Sequence, residues 1–383
     1  MTPTPHPSDP PASLHAQVRV SFLLLFLSLL PGFARAGDFA TGAVQASDGG
    51  RFYLNAIPQI ARLSNGQLFT VWMAEPKAGG PSHIYGAFSA DGGLHWSAPR
   101  ILIQDPVKDD GDPNILVDGR SVLVFSTRVH VPNKIDKSWT FVTRSDDDGQ
   151  TWSAPREIFI PRQYVSGKQA NGLKLRNGTY LLGISWDKWP EIGLAAKTEG
   201  EMDVTAGVLL SPDGIHWTVH GAIHALCDKM TPGSTNGMDE PSTVELADGS
   251  LLMLLRAGGS HHYESRSQDG GLTWSDPVAS PLPGHNTPSS LWRLDENPAE
   301  IIVIWNNSPL TRYPLSTAIS ATRGKTWSTP RTVIATAGLQ VSYPGITQAS
   351  DHTFVAVWQQ QDAGGGRDIR WARFTRDWVL GRP

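Results

Sequence analysis

The stretch Gly237 to Trp274, GMDEPSTVELADGSLLMLLRAGGSHHYESRSQDGGLTW, contains one complete structural unit of this chain. It reads as an opening that carries Asp239 and Glu240, a strand, an Asp-Gly turn, an apolar strand ending in Arg256, a third strand, and a turn closed by Trp274. Apolar runs cut by Asp-Gly signals are what a β-meander requires, so the stretch predicts one four-stranded sheet.

The unit recurs. Its opening half is a Pro (Ala170 in the third copy) followed by an apolar strand, a polar or Gly-containing turn and a second apolar strand. It is found as IPQIARLSNGQLFTVW from Ile57, DPNILVDGRSVLVFS from Asp112, QANGLKLRNGTYLLGIS from Gln169, EPSTVELADGSLLMLLR from Glu240, TPSSLWRLDENPAEIIVIW from Thr287 and YPGITQASDHTFVAVW from Tyr343. The closing half is Ser-x-Asp-x-Gly-x-x-Trp, complete in SADGGLHW from Ser89, SDDDGQTW from Ser145 and SQDGGLTW from Ser267. SPDGIHW from Ser211 is one residue shorter, and SATRGKTW from Ser320 has Thr322 in place of the Asp. Ser and Asp oxygens accept turn N–H groups, Gly supplies positive φ and Trp packs the turn on the sheet, so these residues build scaffold rather than catalyse.

A period of about fifty to sixty residues with four strands per copy predicts an all-β fold, a six-bladed β-propeller with one opening per blade. The sixth copy lacks the Ser…Trp turn and ends in DIRWARF, Asp368 to Phe374. Its missing strand is expected from the N-terminal segment near Ala43 to Ala46, which would close the ring and leave no free sheet edge.

The composition fits, with 38 Gly, 29 Pro and 14 Trp serving short strands, many turns and aromatic packing. A net charge of −4 gives no reason to expect a nucleic-acid partner. Residues 1–36 differ from the rest: Arg19, the apolar run VSFLLLFLSLLPGF and Ala34-Arg35-Ala36 predict a secretory signal cleaved after Ala36. The alternative is a retained membrane anchor, disfavoured because the run is short and contains Ser and Pro. A secreted or periplasmic monomer without a membrane span is expected, with residues 37–383 forming one propeller domain. The single cysteine, Cys227, precludes an internal disulfide.

In a propeller the residues entering the innermost strands ring one mouth of the channel. The opening positions are Ile57, Asp112, Gln169, Glu240, Thr287 and Tyr343, so two carboxylates and a phenol should converge there from different blades. A Glu beside a Tyr can take the phenolic proton and leave an activated oxygen nucleophile, which suits an anomeric carbon that already has an anionic neighbour. Guanidinium groups are the natural partners of that anion. Arg256 ends a second strand at this mouth, and Arg312, in TRYPL, lies on the loop after blade five's second strand.

The Ser-x-Asp-x-Gly-x-x-Trp turns (Asp-boxes), the six openings, and Glu240 with its sixteen-residue step to Arg256 followed by Tyr343 resemble the sialidase (neuraminidase) superfamily, particularly its BNR-repeat, sialidase-like exported proteins. The resemblance covers about residues 45 to 375. It implies exo-glycoside hydrolysis of a terminal sialic acid or another acidic sugar, with Tyr343 as nucleophile, Glu240 as its base and Arg256 holding the substrate carboxylate. Two family arginines are replaced, by Ala56 of Ala56-Ile57-Pro58 and by Ala318, so Arg312 is the candidate second cation. The family's acid is also missing from the AEPKAGGPSH loop, leaving Asp112, Glu75 and His83 as candidates, with His83 also placed to touch substrate. Trp186, Trp189, Trp305 and Trp358 end or follow second strands and are candidates for stacking on sugar faces.

The run KDDGDPN around Asp112 reads as a solvated or a calcium-binding loop. His261 and His262 lack zinc-like spacing to a third ligand and read as loop histidines. No phosphate loop, nucleotide motif or Ser-His-Asp signature is present, so neither cofactor nor metal is expected and the partner is a glycan. Two other readings remain open: a glycan-binding propeller without catalysis, and a polysaccharide lyase in which Tyr343 serves as base and acid around an Arg-neutralised uronate.

Overall fold

The structure is a computed structural model that describes residues 38–129, 138–162, 165–166, 170–187, 203–227, 236–336 and 339–382. All of these lie in one compact unit. The expected signal at residues 1–36, Gln169 and Trp189 fall outside the described residues.

The stretch from Gly237 folds as its pattern predicts. Strands Asp239–Glu245, Leu251–Arg256, His261–Ser267 and Val278–Pro283 pair antiparallel in that order. Leu251–Arg256 is buried along its whole length because sheets cover both of its faces, which explains a continuous apolar run instead of an alternating one. The same order holds for Asp109–Asp118, Ser121–Val129, Ser138–Ser145 and Arg156–Ile158, and for Ser290–Arg293, Ile301–Asn306, Leu315–Ser320 and Arg331–Ile334.

The remaining described strands form two larger sheets. One holds Tyr180–Asp187, Asp203–Ser211 and Thr218–Ile223 with three two-residue strands. The other runs through Val341–Gln348, Phe354–Gln361 and Arg367–Phe374, and then through Leu54–Arg62, Leu68–Glu75, His83–Ser89 and Arg100–Ile103. A single parallel pair, Leu54 with Arg367, joins its two halves. Phe39–Gln45 adds to the outer side of Arg367–Phe374, paired from Phe39 with Phe374 to Gln45 with Ile369. The strand expected from the N-terminal segment therefore begins before Ala43.

These consecutive meander sheets make an all-β, β-propeller arrangement. The apolar core is divided among the gaps between successive sheets. Val244, Leu252 and Leu254 meet Ile301, Val303 and Trp305 in one gap, while Ile302 and Ile304 meet Phe354 and Trp358 in the next. Among the described residues, no helix is long and apolar enough to cross a membrane.

The Asp-boxes do what their chemistry requires. In SQDGGLTW, Asp269 Oδ1 accepts the Thr273 N–H at 2.9 Å, Ser267 Oγ accepts the Gly271 N–H at 2.9 Å, and Trp274 Nε1 donates to the Gly271 carbonyl at 2.9 Å. Where Thr322 replaces the Asp, its hydroxyl accepts the Thr326 N–H at 2.8 Å and the turn survives. The box tryptophans face the preceding sheet: Trp152 stacks on Phe69 at 5.7 Å and Trp217 meets Phe125 edge-on at 5.4 Å.

Candidate functional site

Four of the predicted opening positions share a rare backbone conformation. Ile57, Asp112, Glu240 and Tyr343 have φ of 54°, 46°, 43° and 56°, each immediately before the Pro of its repeat. At each one the ladder skips residues, between Ala56 and Gln59, Gly111 and Asn114, Asp239 and Ser242, and Ser342 and Gly345. The innermost strands thus bulge at their first turn and re-aim one side chain per copy. Left-handed backbone at a non-glycine residue costs on the order of 1–3 kcal/mol, and such strain collects at ligand sites.

Two of these residues meet. Glu240 Oε1 accepts Arg256 Nη1 at 2.6 Å, and the Tyr343 hydroxyl lies 3.4 Å from the same oxygen and 3.3 Å from Arg256 Nη1. A phenol, a carboxylate and a guanidinium therefore share one corner, although Glu240 and Tyr343 are 103 residues apart. The Tyr343 contact is long for a hydrogen bond, as is common for catalytic pairs before substrate tightens them.

Burial shapes the electrostatics. Glu240 is 6% exposed and Arg256 1% exposed. Burial pushes the Glu240 carboxyl up to about 8, Arg256 and Arg312 pulling against this and Asp239 and Asp112 adding to it. Its Oε2 is buried without a hydrogen-bond partner among the described residues. Asp239 also fixes the bulge: its Oδ1 accepts the Glu240 N–H at 2.8 Å and is itself held by the Ser185 hydroxyl of the neighbouring sheet.

Arg312 comes to the same place. Its guanidinium lies 5.6 Å from the Tyr343 ring centroid, and Nη2 donates to the Asn286 carbonyl at 2.6 Å. Among the described residues no carboxylate pairs with it. Asp112 faces the group closely enough for its charge to act on Glu240. Ala56 and Ala318, where the family carries arginines, are 4% and 0% exposed.

Other candidates lie elsewhere. Trp186, 3% exposed, packs with Val165 and Ile184 in the core and has no face open for a sugar. Trp305 and Trp358 are fully buried for the same reason. His83 starts the strand that the AEPKAGGPSH loop leads into and faces Asp110, with Nδ1 buried and without a hydrogen-bond partner among the described residues. Glu75 is raised above the usual carboxylate range by burial and by Asp109, with Arg367 opposing. His262 belongs to a strand rather than a loop and is 1% exposed. In KDDGDPN, Asp110 binds Arg128 through both oxygens, at 2.8 and 2.9 Å, and no metal-ligating cluster exists among the described residues.

Sequence reasoning missed Asn286. In the fifth copy the left-handed residue is Asn286, φ 48°, and Thr287 is buried with its hydroxyl on Asn306 Oδ1 at 2.6 Å. Asn286 Oδ1 accepts Arg256 Nε at 2.9 Å. The available signal was Asn itself, a residue that tolerates this conformation, one place before the expected position.

Comparison with known proteins fits this geometry. Residues 66–357 match the family described as BNR repeat-like domain. The chain is 25% identical over 366 residues to a sialidase of Micromonospora viridifaciens, covering 85% of this chain and 52% of that protein. It is 30% identical over 190 residues to an anhydrosialidase of Macrobdella decora, covering 46% and 22%. The chain thus spans about half the length, or less, of these curated relatives. Its fold superposes on the Hadza microbial sialidase Hz136 with a TM-score of 0.72 at 18% identity, over 88% of this chain and 69% of that one. With a family match running through most of its sheets, the chain belongs to the BNR repeat-like domain family of the sialidase superfamily.

Proposed function

We propose that this chain is an exported, sialidase-like exo-glycoside hydrolase acting on a terminal sialic acid or another acidic sugar. The observation that carries the reading is the corner where Tyr343, Glu240 and Arg256 meet within 3.4 Å. Relatives named as sialidases support the substrate class.

In this reading Tyr343 Oη attacks the anomeric carbon and gives its proton to Glu240, while the bond to the leaving group breaks. An oxygen nucleophile that starts neutral is not repelled by the substrate's own carboxylate, as a carboxylate nucleophile would be. Arg256 and Arg312 hold that carboxylate. Asp112 protonates the leaving oxygen, its carboxyl opposing Glu240 from another part of the ring. As water hydrolyses the glycosyl-tyrosine, Asp112 takes a proton from that water and Glu240 returns its proton to the departing Tyr343 oxygen.

The ring is read as six blades, the eight-stranded sheet counting as two joined at one residue pair. Apolar clusters in the gaps between successive sheets support that count. Residues 1–36 act as the export signal, and the mature chain works as a monomer.

A second reading is favoured by one observation, the alanines at 56 and 318: a glycan-binding propeller that cleaves nothing. A screen of the purified chain against aryl sialosides and acidic glycans, with Glu240→Gln as control, separates the two. Turnover that the variant loses supports hydrolysis. Binding without product supports the second reading, and an unsaturated, ultraviolet-absorbing product would assign a lyase instead.

A further inference from the structure

Arg256 and Arg312 reach the site from different sheets. Arg256 ends the Leu251–Arg256 strand, and Arg312 lies on the loop between Ile301–Asn306 and Leu315–Ser320. Long side chains from separate elements do not hold a fixed spacing unaided, because each loses substantial rotamer freedom on being ordered. Besides Tyr343, Asn286 touches both, and it does so through two hydrogen-bond acceptors. Asn286 accepts Arg256 Nε on its side-chain Oδ1 at 2.9 Å and Arg312 Nη2 on its backbone carbonyl at 2.6 Å.

Asn286 is itself fixed. Its N–H donates to the Ala257 carbonyl at 3.0 Å, next to Arg256, and its φ of 48° turns the carbonyl toward Arg312. That left-handed backbone brings the two acceptors of a single residue onto two guanidiniums, and asparagine adopts it more readily than most side chains. Both acceptors are neutral, so they align the cations without cancelling their charge. Arg256 already shares Nη1 with the Glu240 carboxylate. A second carboxylate at position 286 would keep the hydrogen bond but quench the positive field that remains.

We infer that Asn286 is a positioning residue that sets both the spacing and the net charge of the Arg256–Arg312 pair, tuning the site for one carboxylate on the sugar. The inference rests on the hydrolase reading for the role of the arginines. It does not depend on which acidic sugar is cleaved.

The test is calorimetric titration of N-acetylneuraminate, glucuronate and galacturonate, and of the methyl ester of whichever acid binds, into the full chain and its Asn286→Asp and Asn286→Gly variants. Melting curves accompany each variant. Asn286→Asp is isosteric and tolerates the same φ. It is expected to melt near wild type yet bind the acid at least about tenfold more weakly, the loss typical of one impaired charge-assisted contact. The methyl ester should bind wild type and Asn286→Asp alike. Asn286→Gly keeps the carbonyl and the backbone and removes Oδ1, so it too should weaken the acid, and it carries the test if the Asp variant does not fold. With a cleavable aryl glycoside of the same acid, both variants should raise KM while kcat changes little.

Equal affinity of wild type and Asn286→Asp for the acid, or an ester that weakens as much as the acid does, overturns the inference. So does a wild type that binds none of the three acids. If a uronate binds and N-acetylneuraminate does not, the sialic-acid reading fails while the Asn286 comparison is made on the uronate.

Discussion

Two arginines that end second strands look alike in sequence, yet their surroundings separate them. Arg128 lies with Asp110 in a buried bidentate pair, adds Asp105 at 3.1 Å, and stacks on Phe141 at 4.2 Å, all within its own sheet and the loop leading into it. Arg256 instead reaches Tyr343 and Asn286, which belong to other repeats. The first arrangement is structural: Asp110→Ala, which strands Arg128 in a buried position, is expected to cost about 3–5 kcal/mol of stability, read from denaturant melts. The second serves the proposed chemistry. Glu240→Gln and Tyr343→Phe are expected to lower kcat by roughly 10²–10⁴-fold, the usual share of a proton-transfer group, while circular dichroism stays that of the wild type. Glu240 must be ionised to take the phenolic proton, and burial raises its pKa. Activity should therefore climb with pH above the range of an ordinary carboxylate, in the kcat/KM profile of the free enzyme. A rising limb centred near pH 4 would show that Glu240 is not the base.

The elements owe their stability to turns that were legible residue by residue. Ser, Asp, Gly and Trp each occupy the position their chemistry requires, and even the Thr322 exception keeps its hydrogen bond. Gly93 has φ 96°, and a Cβ there would meet Val355 Cγ1 at 2.9 Å, so Gly93→Ala should lower Tm by the equivalent of about 1–3 kcal/mol. The Thr273 hydroxyl and N–H, with Ser267, hold the Asp269 carboxyl down at about 2. A carboxyl lowered on folding contributes stability that is complete above its unfolded value and disappears as pH falls toward the folded one. Between pH 4 and pH 2 the wild type should therefore lose stability more steeply than Asp269→Asn, in parallel thermal melts. Less was legible where one residue type serves two ends. A tryptophan closing an apolar strand reads the same whether it faces a sugar or the next sheet, and Trp186, Trp305 and Trp358 all face protein. His262 was hidden similarly, because a His-His pair after a Gly-Gly turn resembles a loop.

Across the whole unit, the two ends of the described chain are fastened together. Phe39–Gln45 pairs along Arg367–Phe374, the Thr375 N–H donates to the Asp38 carbonyl at 3.1 Å, and Phe39 stacks on Trp378 at 4.7 Å. Deleting residues 38–46 would bare the edge of Arg367–Phe374, so a lower Tm and aggregation are expected by light scattering. The period could be read from sequence because five repeats carry a closing turn, and the terminal closure because the sixth lacks one. The fine geometry of the mouth could not, because it depends on bulges that re-aim one side chain in each of four copies, and in the fifth copy the left-handed residue is Asn286, one place early. The chemical claim concerns Tyr343, and trapping its covalent intermediate addresses it most directly. After incubation with a fluorinated sialic acid that stalls on the enzyme, peptide mass mapping should find the glycosyl mass on the Tyr343 peptide and none in Tyr343→Phe. Turnover of the unfluorinated glycoside with the adduct on another residue, or in Tyr343→Phe at the wild-type rate, would contradict it.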